Sequence, residues 1–210
     1  IHILKYIVLY VIPKENGIKK HNMLGLGNSL ITGGGISAWT PAELGSTLII
    51  WYKNNAGLTN LSGTDGASDN RLQWSDQSGN DNHAIQDTDG NKPAISGGGL
   101  DFELDQDDFM SLTTAIDFDH PKPFTLFFVV NRETASSQCT LLGGGASEFV
   151  VFKNSDDKVG VRNVGTGGDN VTITFATNNL WATGSDFIFT ISKDDSGDLL
   201  IYKDGAAQAE

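Results

Sequence analysis

The chain of 210 residues holds a single cysteine, Cys139, and only two methionines. A lone thiol rules out an internal disulfide and leaves no thiolate cluster for zinc, so a disulfide-stapled secreted module is excluded. Runs of Lys, Glu and Ala, the strong helix formers, are also scarce, while Gly, Asp, Asn, Thr and Ser are abundant, which favours turns and strands. Positive charge is short, with 14 Lys+Arg against 26 Asp+Glu and a net charge of −12. Such a surface repels phosphate backbones, so nucleic acid is not an expected partner, and neither is an anionic membrane. Acidity of this degree suits solvation and is compatible with divalent cations. No apolar stretch reaches the roughly 20 residues needed to cross a bilayer; the run from Ile1 to Ile12 falls short.

That run belongs to a segment unlike the rest. In residues 1–22, 13 positions are Ile, Lys, Asn or Tyr, as AT-rich DNA encodes when read through, and there is no initiator Met. The reading is upstream DNA carried into translation, with the start at Met23; a vestigial export signal is the other reading, although no small-residue cleavage site follows. The segment holds four Lys and one Glu, so residues 23–210 carry 10 basic against 25 acidic side chains, a net −15. Residues 23–35 form a Gly-rich arm, and residues 36–210 read as one domain without linker or repeat.

Within that domain, TPAELG at 40–45 combines Thr40, Pro41 and Glu43 in a capping-box pattern with Gly45 as a stop, which predicts one short helix. Short strands and turns follow. FTLFFVV (124–130) is apolar on both faces and is expected to be central; DFIFTISK turns Phe187, Phe189 and Ile191 to one side. EFVVFK and KVGVRNV are expected to pair across NSDD, and LLIYKDG ends in an Asp-Gly turn signal. The residues AAQAE follow where a returning strand is expected, so the domain reads as incomplete at its C-terminus. The expected fold class is all-β, a two-sheet antiparallel β-sandwich.

Many catalytic signatures are missing. There is no G-x-S-x-G, H-E-x-x-H or G-x-x-x-x-G-K-[ST], GLGNSL breaks the dinucleotide fingerprint at Leu30, and the four His are scattered. What is present is a carboxylate series in GLDFELDQDDFMSL, residues 99–112. On an extended strand Glu103, Asp105 and Asp107 would share one face about 7 Å apart, and curvature could bring neighbours to the 5–5.5 Å of a retaining glycosidase. This E-x-D-x-D resembles the E-x-D-x-E of family 16 glycoside hydrolases, with the shorter Asp107 where those enzymes carry the acid/base Glu. That resemblance implies Glu103 and Asp107 as the catalytic pair with Asp105 between them. The plainer reading turns Leu100, Phe102 and Leu104 to the core and the acids to water.

A second cluster, LQWSDQSGNDNHA at 72–84, has two readings as well. Asp76 and Ser78 can bond amides two residues on and Gly79 can take positive φ, which makes a turn with Trp74 as its core anchor. Alternatively Asp76, Asn80, Asp81 and loop carbonyls hold Ca²⁺ through oxygen, although the spacing is not that of an EF-hand. Among loop aromatics, Trp181 in NNLWATG is the candidate sugar platform, or else a plug at the core edge.

The pattern W-x-D-x-S-G-N-x-x-H-A at 74–84, preceded by LIIWYKNNAGL and followed by KPAI, GLDF and DDFMSL, is similar to laminin G-like, concanavalin A-like jelly-roll domains of bacterial and phage surface proteins. The match covers about residues 36–205 and departs at Asn55, where Ala is commoner, and at Leu104, where Gly is commoner. It implies a jelly roll in which the 74–84 loop is mainly architectural. The arm MLGLGNSLITGGGISAW also resembles the start of structural proteins of tailed marine phages. Together these imply a non-enzymatic virion or surface module, assembled in a host cytoplasm or displayed extracellularly, whose partners are other virion or surface proteins and possible glycans. The hydrolase and a purely structural decoration are the competing expectations.

Overall fold

The structure, a computed structural model, describes residues 2–11, 40–103, 106–116, 118, 123–132, 139–143, 150–153, 159–164, 170–174, 184–194, 196 and 198–208. Asp105, Trp181 and the Gly-rich arm at 23–35 lie outside them. Every strand pairing among the described residues is antiparallel.

The largest sheet has eight strands: β1 (His2–Val11), β2 (Leu48–Tyr52), β6 (Ala94–Ser96), β7 (Gly99–Phe102), β9 (Phe124–Arg132), β14 (Asp186–Lys193), β15 (Leu199–Lys203) and β16 (Ala206–Ala207). A four-stranded sheet holds β3 (Leu58–Asn60), β4 (Leu72–Trp74), β5 (Ala84–Gln86) and β8 (Ser111–Leu112). A second holds β10 (Cys139–Leu142), β11 (Val150–Lys153), β12 (Val159–Val164) and β13 (Asn170–Thr174) in chain order. The chain is therefore all-β and sandwich-like, with its strands divided among three hydrogen-bonded groups. One continuous core joins them: Ile50, Tyr52, Leu72, Trp74, Leu100, Leu126, Phe128, Val151, Val161, Phe189, Ile191 and Ile201 are all buried in it.

The apolar run at 124–130 lies centrally. β9 pairs with β14 from Phe124 opposite Lys193 to Asn131 opposite Asp186, and with β1 on its other edge. Its alternation is two-sided: Phe124, Leu126, Phe128 and Val130 enter the main core, while Phe127 meets Leu48 in a smaller cluster on the outer face. Phe187, Phe189 and Ile191 of β14 share the core side. Residues 2–11, set apart by composition, pair as β1 with β9 along one edge and with β2 and β7 along the other.

Turn chemistry decides the short connections. TPAELG begins a 3-10 helix, Pro41–Thr47, where the Thr40 amide donates to Glu43 Oε1 at 3.0 Å, and Gly45 breaks the helical geometry at φ 57°. The Asp-Gly pair Asp204 and Gly205 sits at φ 49° and 80° between β15 and β16, the left-handed pair that a two-residue hairpin requires. Gly97 and Gly98 do the same between β6 and β7 at φ 56° and 81°, and a Cβ on Gly98 would overlap the Asn55 side-chain amide.

Candidate functional site

Pairing of β1 with β2 skips Ile49: Leu9 faces Ile50 and Tyr10 faces Leu48. A bulge of this kind shifts the side-chain alternation and leaves backbone groups without ladder partners. Leu48 accordingly sides with Trp51 on the outer face, while Ile50 and Tyr52 enter the core. The loop between β4 and β5 answers the freed carbonyls. Asn80 Nδ2 donates to Leu48 O at 2.7 Å and to Ile49 O at 3.2 Å, Asn82 Nδ2 donates to Ile49 O at 3.0 Å, and Ser78 Oγ, whose single proton goes to Asp76, lies 3.2 Å from the same carbonyl.

Asp76 is the centre of this arrangement and is 7% exposed. Its Oδ1 accepts from the Trp51 amide at 2.8 Å and the Ser78 amide at 2.9 Å; its Oδ2 accepts from Ser78 Oγ at 2.6 Å and the Asn82 amide at 3.2 Å. The Asp76 amide in turn donates to His83 Nδ1 at 3.2 Å, and the Gln77 amide to Trp51 O at 2.7 Å. A carboxylate surrounded by four protein donors has its lone pairs engaged, so a cation could bind only by displacing them. Asp81, at φ 57°, has a side chain that is 90% exposed, with its Oδ1 3.9 Å from His83 Nε2. The three residues assigned to calcium thus share a loop but are turned to different tasks. No group of three or more His, Cys, Asp or Glu that could hold a metal occurs among the described residues.

The same loop is anchored inward by aromatics. Trp74 stacks on Tyr52 with ring centroids 5.4 Å apart, and its indole nitrogen donates to Lys53 O and Ala56 O, both at 3.2 Å. The Tyr52 hydroxyl donates to Asn82 O. Burial, and secondarily the Asp76 charge, push the Tyr52 phenol well above its ordinary pKa.

Glu103 and Asp107 are not displayed together on an extended strand. β7 ends at Phe102, Glu103 is half-buried with its amide donating to Asp108 Oδ2 at 2.8 Å, and Asp107 is exposed in a turn at φ 53°. Glu103 and Asp107 do not share a strand face, because the Asp108 carboxylate caps the strand end and Asp107 takes a left-handed conformation that Asp tolerates. Asp105 lies outside the described residues, as does Trp181.

A further polar node escaped the sequence reading. Asn70 is fully buried; its Nδ2 donates to Asp65 Oδ1 at 2.6 Å and Asp87 O at 3.3 Å, and its Oδ1 accepts from Lys92 Nζ at 2.6 Å and the Gly63 amide at 3.3 Å. Lys92 Nζ also meets Asp89 Oδ1 at 2.9 Å and Leu61 O at 3.3 Å, and Arg71 forks onto Asp87 at 2.7 and 3.1 Å. These contacts hold Asp87 and Asp89 below the usual carboxylate range, through the Arg71 and Lys92 hydrogen bonds respectively. The density of Asp and Asn in SGTDGASDN and DTDGN was the available signal. Two exposed apolar side chains project from this rim: Leu61, whose carbonyl receives Lys92, and Phe109, whose amide donates to Asn91 O at 3.2 Å.

Between the sheets, Ile50, Tyr52, Leu112, Ile116, Phe118, Leu126 and Leu142 line a cavity of about 20 Å³. It is wholly apolar and at most the size of one water, far below a ligand site. Comparison of the chain with protein-family models, with curated proteins and with solved structures finds no match.

Proposed function

We propose that this chain is a non-enzymatic β-sandwich module of the laminin G-like, concanavalin A-like jelly-roll type, serving as a structural or adhesion component of a virion or surface assembly. The observation that carries the reading is the employment of the polar residues. Asp76, Ser78, Asn80 and Asn82, the polar residues of the loop, bond to the backbone of β2 or to one another. The W-x-D-x-S-G-N-x-x-H-A loop then works as an edge clamp, the architectural role that the resemblance implies for it. Contacts with partners fall to the rim loops, where Leu61 and Phe109 are exposed among Asp65, Asp89 and Asp107. An exposed Phe beside acids and amides is also a fitting surface for a sugar ring.

A glycan-array screen of the full chain, run in calcium and again in EDTA, tests this. Binding equal in both buffers and weakened by Phe109→Ala supports an adhesion module working through the rim. Silence in both buffers supports the structural decoration. Hydrolysis of a β-glucan, abolished by Glu103→Gln, would replace this reading with the family 16-like hydrolase.

A further inference from the structure

β1 has a position in the sheet that its place in the chain does not explain. Its neighbours are β9 on one edge, from His2 opposite Arg132 to Val11 opposite Phe124, and β2 and β7 on the other. None of these is joined to it by a hairpin: residues 12–39 and the 3-10 helix intervene before β2, and β7 and β9 lie further downstream. Removing β1 would leave a slot about two strand spacings wide, or roughly 9.5 Å, edged on both sides by unpaired amides and carbonyls. Such edges are strong templates for another strand. The sequence HILKYIVLYV suits the slot, being rich in β-branched and aromatic residues, and it carries no acid in a chain of net charge −12.

We propose that the slot between β9 and the β2–β7 edge is a strand-acceptor site, and that residues 2–11 of a second copy fill it, so that two chains exchange β1 reciprocally and dimerise. Every backbone pairing of the closed monomer is reproduced in the exchanged dimer, because the register depends on the strand and not on which chain supplies it. The connection allows it: the 28 residues 12–39 span at most about 90–100 Å when extended, enough to reach the slot of an adjacent copy. The equilibrium between the two forms then follows protein concentration.

The test uses full-length chains in which Cys139 is replaced by Ser. Tyr10 and Thr125 are direct cross-strand partners, so cysteines at these positions come within disulfide reach. One chain carries Tyr10→Cys and the other Thr125→Cys, and the two are mixed at rising concentration and oxidised. The expected result is a covalent heterodimer that neither variant forms alone in that linkage and that grows with concentration. No heterodimer, with a Tyr10→Cys/Thr125→Cys chain cross-linking only within itself, would overturn exchange; no cross-link in either format would overturn the slot. Light scattering on the unsubstituted chain is the check against a folding defect: the proposal requires dimer to appear between micromolar and millimolar protein, and monomer throughout contradicts it.

Discussion

At the corner after β4, four donors converge on the Asp76 carboxylate, and three neighbouring side chains reach the carbonyls of the bulged β2. β1, on the opposite edge of β2, enters the sheet through backbone pairing with strands far away in the chain. The two regions secure the same strand by different physics. The corner is local: its ligating residues lie within seven positions, and the edge it covers is satisfied by named side chains. β1 is joined to the sheet by backbone ladders with strands remote in the chain, and any chain with the same strand could supply them.

Deleting the corner's central group separates the two most sharply. Asp76→Ala leaves the Trp51 and Asn82 amides without acceptors in a buried setting, and a loss of about 3–5 kcal/mol is expected in denaturant unfolding. A proline in β1 makes the complementary cut. Ile7→Pro lies opposite Phe128 on one edge and Tyr52 on the other, so a ladder bond is lost whichever way its amide points, at a cost of about 3 kcal/mol. That loss should fall with added HILKYIVLYV peptide, whereas the Asp76→Ala loss should not. Gly98→Ala, forced to φ 81° against Asn55, is expected to cost about 1–3 kcal/mol by the same measurement.

Smaller effects probe the corner through pH. The buried Tyr52 phenol is held above its ordinary pKa of 10.0 by burial and by Asp76. The native state keeps the proton while the unfolded chain loses it above about pH 10, so this contribution is complete below that pH and declines as pH rises, by about 1.4 kcal/mol per unit. Tyr52→Phe should remove this alkaline slope and cost about 1 kcal/mol at neutral pH through the lost bond to Asn82. Arg71→Ala is the smallest change. Asp87 is depressed by Arg71, so the pair stabilises above the ordinary carboxylate pKa and fades as pH falls below about 4. With side chains 30% and 23% exposed, the pair is expected to contribute less than about 1 kcal/mol.

Much of the strand framework was legible because its signals are local. The central place of β9 followed from apolar residues on both faces, and the β15–β16 hairpin from Asp204-Gly205. The corner was legible as turn chemistry, but its purpose was not, because the bulge at Ile49 is a property of pairing with β1 and leaves no mark in LIIWYK. The acid series left two readings open for a related reason: alternation describes side chains only while the strand continues, and β7 stops at Phe102. The Asn70 node joins residues 63–92 through buried amide geometry that composition can suggest but not assemble.

The measurement that bears most directly on the corner is thermal unfolding of the unsubstituted chain and of Asp76→Ala, each in calcium and in EDTA. An architectural carboxylate predicts one Tm for the unsubstituted chain in both buffers and a drop of about 10 °C in the variant, equal in both. A Tm that rises with calcium in the unsubstituted chain and not in Asp76→Ala would contradict it and return the loop to a metal site.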